Sequence, residues 1–69
     1  MIRIQKNELH SSNHELWIDQ EDVHFIIRDG KRYTYVGNSD DCYLFLEVPM
    51  GSVVGCRRVD VSIGVNDGY

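Results

Sequence analysis

Apolar and polar residues alternate in short runs along most of the chain, and this pattern predicts strands rather than helices. The alternation covers residues 2–5, 23–28 and 31–36. Successive side chains of a strand point to opposite faces, so each run predicts a strand with one apolar face. The most regular run is the last, whose apolar positions are Val59, Val61, Ile63 and Val65.

Residues 13–21 fit two structures. Ser12 and Glu15 have the spacing of a capping box, which would open a helix over this segment. Leu16, Trp17 and Ile18 are consecutive, however, and three consecutive apolar residues make no helical stripe. A strand is therefore the favoured interpretation, with a short helix as the alternative.

Turn residues separate these runs. Asp29-Gly30 predicts a type I′ hairpin turn, because Asp tolerates and Gly prefers positive φ. A second turn is expected over residues 37–41. Residues 42–48 are apolar on both faces except at Glu47, which predicts a central strand covered on both sides.

Five or six short strands with turns between them predict an all-β fold, either a small antiparallel barrel or a curled sheet. An SH3-like barrel is the expected topology, because closure hides the edges of so small a sheet. Residues 1–69 form one domain on this interpretation, with 66–69 as a flexible tail.

Composition supports strands and narrows the function. The chain has 69 residues and contains no alanine, the best helix former. A chain of this length buries one thin core and has little room for a deep substrate cavity, so most enzyme architectures are excluded unless the chain oligomerises. The longest stretch without charge, 48–56, is too short to span a membrane as a helix. With no apolar leader at the start, a cytoplasmic protein is expected.

Histidine and cysteine residues raise the question of a metal site. His10 and His14 are four residues apart, and Cys42 and Cys56 would complete a Cys2His2 set. Structural zinc sites place paired cysteines two to four residues apart, whereas these are fourteen apart. The sequence therefore predicts neither a metal nor a cofactor.

The two cysteines could also face each other. If 42–48 and 53–59 formed a hairpin about Pro49, Cys42 and Cys56 would come close enough for a disulfide. Buried, reduced thiols are the favoured interpretation for a cytoplasmic protein. Cys56 precedes two arginines, which would favour its thiolate, but the sequence places none of the three histidines near it as a base. Phosphate-loop, dinucleotide, zinc-protease and serine-hydrolase motifs are absent from the sequence. No enzyme activity is predicted.

Surface charge points to binding. The formal net charge is −4. Negative charge around an aromatic anchor suits docking on a basic protein, so we expect a non-enzymatic interaction module. Small acidic inhibitors, including phage-encoded proteins that occupy nucleic-acid-binding sites, are similar as a class. The candidate partner-binding residues are Glu15, Trp17, Asp19, Glu21, Asp22, Asp40 and Asp41.

Two alternatives remain. A nucleic-acid-binding barrel would use a basic hairpin tip and neighbouring aromatic rings, although the net negative charge opposes phosphate binding. A homo-oligomeric subunit would pair the apolar stripe of residues 59–65 between copies. The nucleic-acid-binding residues would be Arg28, Lys31, Arg32, Tyr33 and Tyr35.

Overall fold

The computed structural model describes residues 1–9 and 13–59, which form one antiparallel sheet of six strands. Across the sheet the order is β1-β5-β4-β3-β2-β6. The predicted all-β class is confirmed, and residues 15–18 form a strand rather than part of a helix. The strands are β1 (Ile2–Gln5), β2 (Glu15–Ile18), β3 (His24–Arg28), β4 (Lys31–Ser39), β5 (Cys42–Val48) and β6 (Arg57–Arg58).

Four strands, β2 to β5, follow one another as a meander joined by tight turns. Asp29 has φ of 55° and Gly30 has φ of 75°, so both central residues of the β3–β4 turn have the positive φ of the predicted type I′ geometry. Asp22 and Asp40 also have positive φ, at 64° and 53°. Asp tolerates this conformation better than most residues, which explains its place in all three turns.

β4 is longer than the sequence predicts. The expected turn over residues 37–41 begins too early, because the strand continues through Gly37 to Ser39. The register shifts between Tyr35 and Gly37, as in a β-bulge. Glycine marks bulges as well as turns, and here only Asp40 and Asp41 reverse the chain.

The expected SH3-like barrel is wrong for the described residues, in which the sheet is open. β1 pairs with β5 and β6 pairs with β2, so these two strands lie at opposite edges. The proposed hairpin of 42–48 with 53–59 is also wrong, because residues 49–56 carry the chain across to β2. Val59 extends the β6 pairing by donating its N–H to the Leu16 carbonyl at 3.0 Å. The remaining positions of the predicted last strand and the predicted tail at 66–69 lie outside the described residues.

One face of the sheet, the core face, holds the main hydrophobic cluster. Ile4 of β1 and Leu16 of β2 belong to the same cluster, although three strands separate β1 from β2 in the sheet. A flat sheet would hold these strands about 19 Å apart, so the sheet must curl. A 3-10 turn, η1 (Lys6–Glu8), leads into the cluster. The buried members of the cluster are Ile4, Leu9, Leu16, Ile26, Tyr43 and Phe45.

The opposite face, the outer face, has its own smaller cluster. Phe25 is fully buried there, stacked on Trp17 with 6.1 Å between ring centres, while the Arg32 guanidinium lies 3.9 Å from the Phe25 ring centre. Arg32 also donates to the Ser52 carbonyl, so the crossover of residues 49–56 runs against this face. Leu46 of β5 remains 43% exposed. The prediction that both faces of residues 42–48 are covered is therefore wrong.

Candidate docking surface

Both acidic turns lie at one end of the sheet. The β2–β3 and β4–β5 turns follow strands that run in the same direction, because β2 and β4 flank the antiparallel β3. Two strand spacings separate the turns, or about 10 Å. This end, called the acidic end below, carries Asp19, Glu21, Asp22, Asp40 and Asp41.

Asp19 holds the β2–β3 turn rather than presenting a free carboxylate. Its Oδ1 accepts the backbone N–H of Glu21 at 2.8 Å and that of Val23 at 2.9 Å. Its own backbone N–H and carbonyl bond to Val23 and Asp22. Asp19 is thus a structural residue of the turn, and the exposed side chains it positions are Glu21 and Asp22.

The β4–β5 turn is tied to the end of β1. The Lys6 backbone N–H donates to the Asp41 carbonyl at 2.9 Å. Asp40 and Asp41 are exposed, and a cavity of about 350 Å³ beside them is lined by Gln5, Lys6, Asn7 and Asp41. The Lys6 ammonium lies 5.4 Å from the centre of the Tyr43 ring. One cation therefore borders the acidic end.

His24 begins β3 beside the β2–β3 turn. Partial burial lowers the pKa of its imidazole below 6.5, and the neighbouring carboxylates of Asp19 and Asp22 oppose that shift only in part. A lowered pKa keeps His24 neutral at pH 7. Its ring therefore does not cancel the negative charge of the acidic end.

Two predicted site residues, Glu15 and Trp17, lie away from the acidic end. Trp17 is half-buried on the outer face, where it covers Phe25. Its indole Nε1–H donates to Glu15 Oε1 at 3.1 Å. The structure thus gives Trp17 a packing role and Glu15 a role in orienting the indole.

The residues of the nucleic-acid alternative are dispersed. Arg28, Lys31 and Arg32 surround the β3–β4 turn at the end of the sheet opposite the acidic end. Arg32 lies on the outer face over Phe25, whereas Tyr33 and Tyr35 pack against the hydrophobic cluster of the core face. Among the described residues, no tyrosine platform lies next to the basic tip.

The cysteines and histidines that the structure describes do not assemble into a site either. Cys42 and Cys56 are half-buried free thiols, and β5 is separated from β6 by three strands. Over residues 1–9 and 13–59, no group of three His, Cys, Asp or Glu residues is arranged to hold a metal ion. His10, one member of the considered zinc set, lies outside the described residues.

The sequence did not reveal a polar cavity of about 190 Å³ between β1, η1, β3 and the residues that precede β2. We call it the β1–β3 cavity. It forms only because the sheet curls, and no local pattern links positions so far apart in the chain. Its lining residues are Arg3, Ile4, Glu8, Asn13, His14 and Arg28.

Comparison with known proteins assigns this chain to no family. In the described part of the chain, no helix has the length and apolar character needed to cross a membrane. The chain matches no protein-family model, no curated protein and no solved structure.

Proposed function

We propose that this chain is a non-enzymatic interaction module that docks on a basic protein through its acidic end. The observation that carries the proposal is the placement of two acidic turns, about twenty residues apart in sequence, at one end of the sheet. Clustered surface charge of one sign accelerates association with a surface of opposite sign. The net charge of −4 acts in the same direction.

The rigidity of the turns supports the proposal. Asp19 fixes the β2–β3 turn through two backbone N–H groups, and the Lys6–Asp41 backbone bond fixes the β4–β5 turn to β1. A surface that is already ordered loses less conformational entropy when it binds. Glu21, Asp22, Asp40 and Asp41 are the exposed carboxylates that would meet the partner.

Blocking a basic site is the mode of action that the proposal implies. Nucleic-acid-binding surfaces carry clustered Lys and Arg. A rigid acidic protein bound there would exclude the nucleic acid and act as an inhibitor. The proposal assumes a cytoplasmic setting, in which the free thiols of Cys42 and Cys56 stay reduced.

Single charge reversals test the proposal. Glu21→Lys and Asp41→Lys each change the net charge by the same amount as Glu47→Lys, an exposed carboxylate on β5 outside the acidic end. Asp22 and Asp40 are left intact because lysine tolerates their positive φ poorly. Each protein is immobilised, exposed to nuclease-treated lysate from its source at several salt concentrations, and the retained proteins are identified.

The proposal expects a basic protein on the native chain and on Glu47→Lys at low salt. Glu21→Lys and Asp41→Lys should lose it, and association measured with the purified partner should slow most at low salt. Equal retention by all four proteins would contradict docking through the acidic end. Retention of nucleic acid alone in an untreated lysate would favour the basic-tip alternative.

Self-association is a second candidate, supported by one observation. Among the described residues β1 pairs on one side only, with β5, and an edge strand of this kind can pair with another copy. Light scattering across a concentration series separates a monomer from such an assembly. A mass that rises above 8.0 kDa with concentration would favour the homo-oligomer.

A further inference from the structure

The outer face of the sheet stays apolar beyond the part that the chain itself covers. Leu46 of β5 lies opposite Thr34, which lies opposite Phe25, so Leu46 belongs to the outer face. Side chains two positions apart share a face, which adds Leu44 and Val48. The crossover leaves β5 toward β2 and covers the other half of this face. Leu46 is therefore exposed, and we call these three residues of β5 the outer-face patch.

The composition of β5 indicates that the outer-face patch has a partner. An antiparallel sheet with one face in water normally alternates apolar and polar residues along each strand. Residues 42–48 are apolar on both faces except at Glu47, as in strands that are covered on both sides. Contiguous apolar side chains on a surface, unlike scattered single ones, mark interaction sites. A second molecule would supply the cover that the described chain does not.

Positive charge borders the outer-face patch. Arg3 lies opposite Leu44 in the β1–β5 pairing, is exposed, and also borders the β1–β3 cavity. Arg32 lies opposite Val48 in the β4–β5 pairing. Among the outer-face positions of the six strands, Glu15 alone has a carboxylate, and that group accepts an indole N–H. The patch thus has cationic neighbours in a chain whose formal net charge is −4.

We propose that the outer-face patch binds an apolar segment of a partner protein in which acidic side chains accompany the apolar ones. Leucine and valine bury apolar side chains well, whereas they offer no aromatic ring on which a base could stack. The bordering arginines complement carboxylates, which a guanidinium binds with parallel hydrogen bonds. This partner is opposite in charge to the basic partner of the acidic end, so the two proposals stand independently.

Titration with an octapeptide of alternating Glu and Leu, followed by NMR, tests the outer-face patch. Backbone amide signals of residues 34, 44, 46 and 48 should shift and reach saturation. An octapeptide of alternating Glu and Ser keeps the charge without the apolar side chains, so its shifts should not saturate. An octapeptide of alternating Lys and Leu should instead shift residues 21 and 41, at the acidic end.

Two substitutions separate the apolar and the charged contributions. Leu46→Gln should weaken binding of the Glu-Leu peptide about tenfold, because the most exposed leucine of the patch is lost. Val54→Gln is its matched control, since Val54 is 84% exposed on the crossover, and should leave the affinity unchanged. Arg3→Gln should weaken binding about two- to fivefold, whereas Lys31→Gln, which removes an exposed cation from the β3–β4 turn, should not. Circular dichroism checks that each variant is folded, and Leu46 and Arg3 give independent readouts.

Three results would overturn the proposal. Equal weakening by Leu46→Gln and Val54→Gln would separate the affinity from the patch. Equal binding of the Glu-Leu and Glu-Ser peptides would show a response to charge alone. Tighter binding of an eight-nucleotide oligothymidylate, or of phosphatidylserine vesicles, with shifts at residues 44–48 would assign the outer face to nucleic acid or to membrane. Failure of the Lys-Leu peptide to shift residues 21 and 41 would count against docking at the acidic end and not against the outer-face patch.

Discussion

Replacing Asp19 by alanine tests whether this carboxylate holds the β2–β3 turn. The substitution removes one acceptor, Oδ1, that serves two backbone N–H groups at 2.8 and 2.9 Å. An Asp or Ser that caps backbone N–H groups in a similar way at a helix start contributes about 0.5–2 kcal/mol. With two bonds lost at a partly exposed site, we expect unfolding free energy to fall by about 1–2 kcal/mol. For a domain of this size that lowers Tm by roughly 5–15 °C.

Thermal and urea unfolding followed by circular dichroism provide the assay. Asp19→Asn keeps a side-chain oxygen as acceptor and should lose less than half as much stability. Glu21→Ala is the matched control, because Glu21 is exposed in the same turn and its side chain makes no hydrogen bond in the described residues. We expect Glu21→Ala to stay within about 0.5 kcal/mol of the native protein. A cost for Glu21→Ala equal to that of Asp19→Ala would refute the assignment of Asp19 to the turn.

Three further predictions concern the two faces of the sheet. Phe25→Ala empties a fully buried position on the outer face and should lower the free energy of unfolding by about 3–5 kcal/mol. Because Phe25 stacks on Trp17, the near-ultraviolet circular dichroism of Trp17 should also be lost. Val54→Ala, at an exposed position, is the control and should change neither quantity measurably. Arg32→Met keeps an apolar side chain over Phe25 but removes the cation, and it should lower the free energy of unfolding in urea by about 1 kcal/mol. Lys31→Met, at an exposed position, is the control. Equal losses in the two variants would argue against the cation–ring contact. Because burial lowers the pKa of His24, the unfolded chain binds a proton at this residue more readily than the folded chain does. The free energy of unfolding should therefore decrease as pH falls below 6.5. His24→Gln should reduce this pH dependence when urea unfolding is measured from pH 7.5 to 5.

Local sequence patterns predict the strands of the meander and its β3–β4 turn. Asp29-Gly30 predicts its turn because both residues suit positive φ, and the structure has φ of 55° and 75° there. The strand at residues 15–18 follows from three consecutive apolar residues, which no helix would place on one face. Gly37 misled the prediction because a glycine signals a turn and a bulge equally.

Non-local pairing is what the sequence could not predict. The partners of β1 and β6 depend on how the whole sheet is ordered, and the alternation within a strand is the same whichever strand lies beside it. The acidic residues were identifiable from composition, but their common end follows only from strand direction. The sequence also could not predict that Arg3 and Arg28 lie close together, because only the curl of the sheet brings them to one cavity.

The partner of β1 also governs the order in which the chain acquires its structure. The turns between β2 and β5 close loops of a few residues, whereas pairing Ile2 with Phe45 closes one of more than forty. Short loops close first because they lose less chain entropy. β1 is synthesised before β5 and therefore waits for its pairing partner until β5 has been synthesised. During that interval the exposed edge of β5 is open to pairing with a neighbouring chain, so concentrated refolding should produce dimers with exchanged first strands before it produces other aggregates.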